Sequence, residues 1–233
     1  MGQIQAVITG DVNGSSKLNA QTARSLVGVL QQCYEITAKR LPQAQLAGFT
    51  PFRGDAFQFL VGQPTLAPRS ALLFRALLIF HGAQEIHQKL QAGVAIGFGS
   101  VDFAPDDLSA AGGGQAYTRS GKRLDKLRRR IPGMGVSGLG KADAYLDSLL
   151  GLTDTLIHKW TALQARAVSY ALLGYSQGEI GKVWAPPISQ QAVNKHLRAA
   201  GWPGIEPALH WAETFIESHI QVQSNSTKGS PAR

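Results

Sequence analysis

The chain has 233 residues, 44% hydrophobic and 16% charged, which supplies a sizeable core and excludes a mostly disordered polypeptide. Its net charge of +8 favours an anionic partner such as a nucleotide or nucleic acid, without specifying a fold. The single cysteine, Cys33, excludes an internal disulfide and suits a reducing compartment. It lies within a helical pattern and reads as a small core hydrophobe rather than a reactive thiol. The N-terminus has no basic segment followed by a long apolar stretch. The apolar run ALLFRALLIF near 70–80 contains Arg75 and is too short to span a bilayer. A cytoplasmic protein with no membrane partner is expected.

In chain order, residues 3–10 turn from alternation to a continuous apolar run, a central strand ending at Asp11. A helix follows over 19–40, with Leu26, Val29, Leu30, Cys33 and Ile36 on one face, closed by Pro42. LAGFTPF (46–52) and AFQFLVG (56–62) form a hairpin through Arg53-Gly54-Asp55, with Asp55 at its tip. A helix over about 68–90 and a strand over 92–103 complete a β-α-β-β-α-β order. A loop at 105–114, a basic helix at 115–130, a short strand at 133–138 and a helix at 142–158 extend it. That order matches the ferredoxin-like arrangement with additions, so the fold class is α+β.

From about 160 the pattern changes to short helices at 163–174, 176–184 and 188–202, then a longer one at 205–220. The expected organisation is an α/β domain over 1–145, a helical connector over 146–160, a helical domain over 161–222 and a disordered tail at 223–233. Two short helices around a break, the second rich in Gln, Asn, Lys and Arg, form a helix-turn-helix signature. On the second helix Gln190, Gln191, Asn194, Lys195 and Arg198 face outward as candidate DNA contacts, with Val193 and Leu197 inward. Seven residues, Gly181 to Pro187, separate Ile180 from Ile188, more than the usual short turn, and Pro186-Pro187 stiffen them. Protein docking by the same motif stays open beside DNA binding.

Two Gly-Asp pairs, Gly10-Asp11 and Gly54-Asp55, sit at the edges of strand patterns. Either is an ordinary turn dipeptide when taken alone. In a ferredoxin-like sheet, however, the first strand and the hairpin are neighbours, so Asp11 and Asp55 meet at one edge. Adjacent carboxylates repel unless a proton or cation intervenes, which suits Mg²⁺ bridging them to a nucleotide phosphate. The turn Val12-Asn13-Gly14-Ser15-Ser16 opens the first helix and suits a triphosphate through its N–H groups. Arg53, on the hairpin beside Asp55, joins this nucleotide-binding set.

Asp11-Val12-Asn13-Gly14-Ser15-Ser16 and Gly54-Asp55-Ala56-Phe57 resemble the two metal-binding signatures of class III nucleotide cyclases. Gly93-Val94-Ala95-Ile96-Gly97-Phe98-Gly99, Arg123-Leu124 and Val136-Ser137 match the later family motifs more loosely. The resemblance covers about 3–145 and implies a nucleoside triphosphate with Mg²⁺ or Mn²⁺, a homodimer, and a transition-state arginine at Arg123. Where active cyclases of the family carry asparagine, four residues earlier, this chain has Arg119. The base-selecting positions hold Pro51 and a glycine near Gly112. Taken whole, the chain resembles the bacterial SatD-type proteins, which join a degenerate domain of this kind to a helix-turn-helix. The resemblance implies a nucleotide- and Mg-binding sensor coupled to DNA binding, a transcriptional or stress/defence regulator. A working cyclase or nucleotidyltransferase is the alternative.

The run KRLDKLRRR (122–130) reads equally as a solvated helix face or a phosphate-binding one, with Arg119, Arg123 and Lys126 on one side. The six histidines show no zinc spacing, and the glycines at 112–114 form no P-loop because no Gly-Lys-Ser/Thr follows.

Overall fold

The computed structural model describes residues 4–15, 19–104, 112–127 and 133–228. Ser16, residues 105–111 of the expected 105–114 loop and the arginines at 128–130 lie outside the described residues.

Apolar alternation at the N-terminus becomes β1 (Gln5–Val12). Its side chains divide between two layers, with Ala6, Ile8 and Val12 in one buried cluster and Val7 in another. Helix α1 (Ala20–Arg40) starts at Asn19, whose side chain accepts from the Thr22 N–H, and ends at Leu41 just before Pro42. Strands β2 (Leu46–Phe52) and β3 (Ala56–Val61) form the expected hairpin. Helix α2 (Ala67–His81) is buried along most of its length, as its lack of a polar face implies. It stops short of the expected end at 90, passing into a π-helical turn at Gly82–Ile86. A Cβ at Gly82 would meet Leu90 at 2.6 Å, so the side chain of Leu90 fills the place where a continuing helix surface would lie.

Strand β4 (Ala92–Gly99) is also shorter than its apolar pattern. Beyond it, Phe103 pairs with Gly113 in an isolated bridge. Helix α3 (Gln115–Leu127), strand β5 (Met134–Ser137) and helix α4 (Ala142–Ile157) follow. The sheet order is β2-β3-β1-β4-β5, antiparallel except for the β4–β5 pair. The first four strands therefore have the ferredoxin-like order, with β5 added at one edge.

Helices α1 and α2 bury one face of this sheet and α3 the other. Beneath α3 runs a hydrogen-bond chain. Gln58 Nε2 donates to Thr9 Oγ1 at 2.7 Å, and Thr9 Oγ1 lies 2.7 Å from Ser120 Oγ. Ser120 donates its own proton to the Tyr117 carbonyl at 3.0 Å, so Thr9 is the donor to Ser120. The close approach needs Gly97, where a Cβ would fall 2.2 Å from the Ala116 carbonyl oxygen and 2.4 Å from the Ser120 nitrogen. Both are backbone atoms of α3, which cannot rotate aside. Gly97→Ala is expected to cost at least roughly 1–3 kcal/mol, read as a lower urea midpoint at unchanged slope.

The edge strand β5 is covered by acids on α4. Asp147 accepts from the Val136 N–H, Asp154 from Gly133, and Asp143 from Gly138 and Leu139, at 2.8 to 3.0 Å. Spacings of four and seven residues put all three acids on one helix face, where Asp147 occupies a donor of the edge strand itself and Asp154 and Asp143 hold the chain on either side of it.

The remaining helices are α5 (Ala162–Ala171), α6 (Gln177–Lys182), α7 (Gln190–Ala199) and α8 (Trp202–Lys228). Reciprocal capping boxes, Thr161 with Gln164 and Ser176 with Glu179, start α5 and α6. Helix α8 runs past the expected start of a disordered tail at 223. Its inner face carries Leu209, Ala212 and Ile216 into the main core, which is continuous with that of the sheet layer. Arg69 of α2 grips Glu213 of α8 with two nitrogens, at 2.6 and 3.0 Å, and donates to the Leu172 carbonyl. The indole of Trp160, 1% exposed, donates to the Ala200 carbonyl at 2.8 Å. Cys33 is fully buried, and burial pushes its thiol well above the ordinary range, as a core residue requires.

Candidate functional site

The two Gly-Asp pairs prove structurally different. Gly10-Asp11 lies inside β1, where the Phe57 ring occupies the space beside Gly10 and a Cβ would meet it at 2.2 Å. Gly54-Asp55 is a true turn, with Gly54 at φ 83° and Arg53 at φ 57°. The register then brings the aspartates together. Asp11 stands opposite Ala56 of β3 and Gly93 of β4, while the Val12 N–H donates to the Asp55 carbonyl at 2.9 Å. The Ser15 hydroxyl donates to the Asp55 carboxylate. Asp11 and Asp55 thus stand at adjoining backbone positions, and Ser15 reaches Asp55 through its side chain.

Beside Asp11 opens a cavity of about 210 Å³, lined by Asp11, Asn13, Gly93, Arg75, Asp154 and His158, with Leu124 and Leu127 of α3 as its apolar wall. Arg75 is 2% exposed and forms an ion pair with Asp154, itself buried and held also by the Gly133 N–H. Burial pulls the Arg75 guanidinium below its ordinary range, and the Asp154 charge opposes that shift. A second Arg75 nitrogen donates to Gln91 Oε1 at 3.1 Å, and Gln91 gives its backbone carbonyl to the Asn13 N–H at 2.7 Å. The Gln91 side-chain nitrogen is buried without a hydrogen-bond partner. An unsatisfied donor of this kind costs roughly 1–3 kcal/mol, and a water or ligand acceptor would relieve it.

The donor chemistry fits a hard cation carried in with a phosphate. Mg²⁺ is commonly held by one or two carboxylates, with waters and substrate phosphates completing its octahedron. Among the described residues no cluster of three or more His, Cys, Asp or Glu side chains could hold a metal by itself, so Asp11 and Asp55 are the candidate protein ligands. The turn contributes differently from its sequence reading. Val12 is 2% exposed with its side chain in the core, and the Val12 and Asn13 N–H groups are bonded within the fold. Asn13 and Gly14 are exposed, and Gly14, at φ 74°, uses the left-handed conformation open to glycine. Helix α1 begins only at Ala20, so its N-terminus is set apart from the turn.

Of the expected site residues, Asp11 and Asn13 line this cavity, whereas Asp55, Ser15, Arg119 and Arg123 do not. Arg119 Nη1 donates to the Phe98 carbonyl at 2.6 Å, and Arg123 pairs with Asp147 at 2.8 Å while lying against Gly135 of β5. Gly135 is opposite Ala95 of β4, which is opposite Thr9 of β1, so Arg123 sits two strands from the Asp11 strand. Arg53 is exposed at the hairpin tip. The roles of Arg75, Gln91 and Asp154 were not read from sequence, since an arginine inside ALLFRALLIF gives no hint of its distant partner. The acid spacing on α4 was the one available signal.

On α7, Gln190, Gln191, Lys195 and Arg198 are exposed and Asn194 half-buried, while Val193 and Leu197 are buried. Seven residues separate α6 from α7. The connection closes tightly on Gly181, whose carbonyl accepts from Ile188 and whose Cβ position lies 2.4 Å from the Ile188 carbonyl oxygen.

No protein-family model matches the chain, and no curated protein matches it. Solved structures similar to it include the guanylyl cyclase Cya2, at 17% identity and a TM-score of 0.39 over 58% of this chain and 75% of that one. The adenylyl cyclase CyaB from P. aeruginosa is similar at 19% identity and a TM-score of 0.40, over 62% and 80% of the two chains. The guanylate cyclase domain of RhGC from Catenaria anguillulae, determined in complex with GTP, gives 16%, 0.39, 61% and 80%. Among the described residues no helix is long and apolar enough to cross a membrane.

Proposed function

We infer that the chain binds a nucleoside triphosphate with Mg²⁺ or Mn²⁺ at Asp11 and Asp55 and uses that event to bias DNA binding by α7. The observation that carries the reading is the meeting of Asp11, Asp55 and Ser15 at one sheet end, beside a cavity with a buried guanidinium. A bound cation would supply charge neutralisation for the phosphates. Asp11 and Asp55 would hold it, Ser15 would orient the Asp55 carboxylate, and Asn13 would offer hydrogen bonds. The family resemblance of the two signatures supports the same residues, and the SatD-type resemblance supports a regulator with a helix-turn-helix.

Coupling requires the nucleotide to prefer one arrangement of the chain over another. The cavity has a direct route for this. Asp154 and His158 belong to α4 and its end, two residues before Trp160, whose indole is bonded to the end of α7. The placement of Arg119 and Arg123 away from the carboxylates supports binding rather than catalysis within one chain. A homodimer, expected from the resemblance, would be seen as a doubled mass by light scattering.

Incubation of the purified protein with each of the four NTPs and Mg²⁺ or Mn²⁺, followed by chromatography, tests the sensor reading against the catalytic one. Intact NTP with measurable binding is the expected result. Cyclic or linked products that disappear in Asp55→Ala would establish the enzyme reading instead.

A further inference from the structure

A second groove of about 160 Å³ lies on the opposite side of α2, between α1, α2 and α5. Its floor is apolar, from Ile36, Leu77 and Leu173, and its aromatic walls are Phe80 and Tyr170. Two arginines border it. Arg40, the last residue of α1, lies over the Tyr170 ring with its guanidinium carbon 5.3 Å from the centroid. Arg166 of α5 lies over the Phe80 ring at 5.3 Å and the Trp184 ring at 4.5 Å, and donates to the Val183 carbonyl.

No carboxylate lines the groove, and neither arginine has an ion pair among the described residues. The acid that touches the lining is Glu85, engaged by His81 at 3.1 Å. Cation–π contacts orient a guanidinium but leave its charge unneutralised, and its planar array of donors suits a carboxylate. The volume, well below the roughly 300–1,000 Å³ of a drug-sized site, suits a single small ring. An apolar slot with aromatic walls takes a flat ring, and the two arginines at its border favour a negatively charged substituent on it.

We propose that this groove binds a small aromatic monocarboxylate, its ring against Leu77 and Phe80 and its carboxylate facing Arg40 and Arg166. The site is separate from the Asp11–Asp55 edge and does not depend on nucleotide binding there. It also has a path to α7. Arg166 is stacked on Trp184, and Trp184 is stacked on His196 of α7 with ring centroids 5.6 Å apart and planes within 12°. A carboxylate that draws Arg166 toward the groove acts on the first ring of that stack, linking a metabolite to the face carrying Lys195 and Arg198.

Saturation-transfer NMR on the full chain with benzoate, its neutral analogue benzamide, hexanoate and inorganic phosphate tests the proposal. Benzoate is expected to bind at least roughly tenfold more tightly than benzamide or phosphate, as a charge-assisted contact in an apolar slot implies. Arg40→Gln and Arg166→Gln should each weaken benzoate by a similar factor, while Asp55→Asn leaves it unchanged. If Arg166→Gln fails to fold because of its ring contacts, exposed Arg40 decides alone. Equal binding of benzoate and benzamide, equal binding of phosphate, no binding of any probe, or affinity unchanged in Arg40→Gln would each overturn the proposal.

Discussion

Asp154→Ala is expected to lower stability by about 3–5 kcal/mol, the typical cost of removing one partner from a buried ion pair. Three losses coincide at this position. Arg75, 2% exposed and inside a helix of apolar residues, keeps its charge without the carboxylate that faces it. The Gly133 N–H loses its acceptor. The Gln91 side chain, which already has a buried nitrogen without a partner, becomes the remaining side-chain acceptor recorded for Arg75. A urea titration should show the midpoint falling at constant slope, since the same surface is exposed on unfolding. The double variant Arg75→Met with Asp154→Leu removes both charges and should recover most of the loss, because buried pairs are often matched by packed apolar residues. If the double variant is as unstable as the single one, the penalty belongs to the Gly133 contact or to packing.

Replacing Lys195 and Arg198 together with alanine is the second large expectation. Both are exposed on α7, three residues apart, while Val193 and Leu197 anchor its other side in the core. If this face enters a major groove, each lost base contact weakens binding by roughly 1–3 kcal/mol. Each lost phosphate contact reduces the log–log salt slope by about 0.9. Fluorescence anisotropy with duplexes from a genomic selection, across a salt series, reads both effects. Folding should be unaffected because neither side chain packs inward. A wild-type chain that binds no duplex at low salt would assign α6 and α7 to protein docking.

The parts of the fold legible in sequence were those fixed by local pattern. Alternation and glycine turns located β1, β2, β3 and β5 within a few residues, and Pro42 marks the end of α1. Once the strand order was known, the meeting of Asp11 and Asp55 followed from register alone. Elements ended by tertiary contact were less legible. The apolar pattern of α2 continues to Leu90, yet Leu90 packs back onto Gly82. The polar sequence after 222 gives no sign that α8 continues to Lys228. Charges whose partners are far away were invisible. Arg75 and Asp154 are 79 residues apart, and nothing local distinguishes Arg75 from a chance cation. Arg123 shows the opposite difficulty, since its place in a motif suggests chemistry while its guanidinium is held by Asp147.

We infer that Asp11 and Asp55 together hold a cation and a nucleotide. Calorimetric titration of ATP and GTP into the full chain, with Mg²⁺ or with excess EDTA, addresses it directly. At least one nucleotide is expected to bind only when the cation is present. Asp11→Asn and Asp55→Asn should each lose more than the roughly 10–100-fold that even outer-sphere partners of a metal are worth, while Arg40→Gln binds as wild type. Nucleotide affinity unchanged by EDTA, or by both aspartate substitutions, would contradict it.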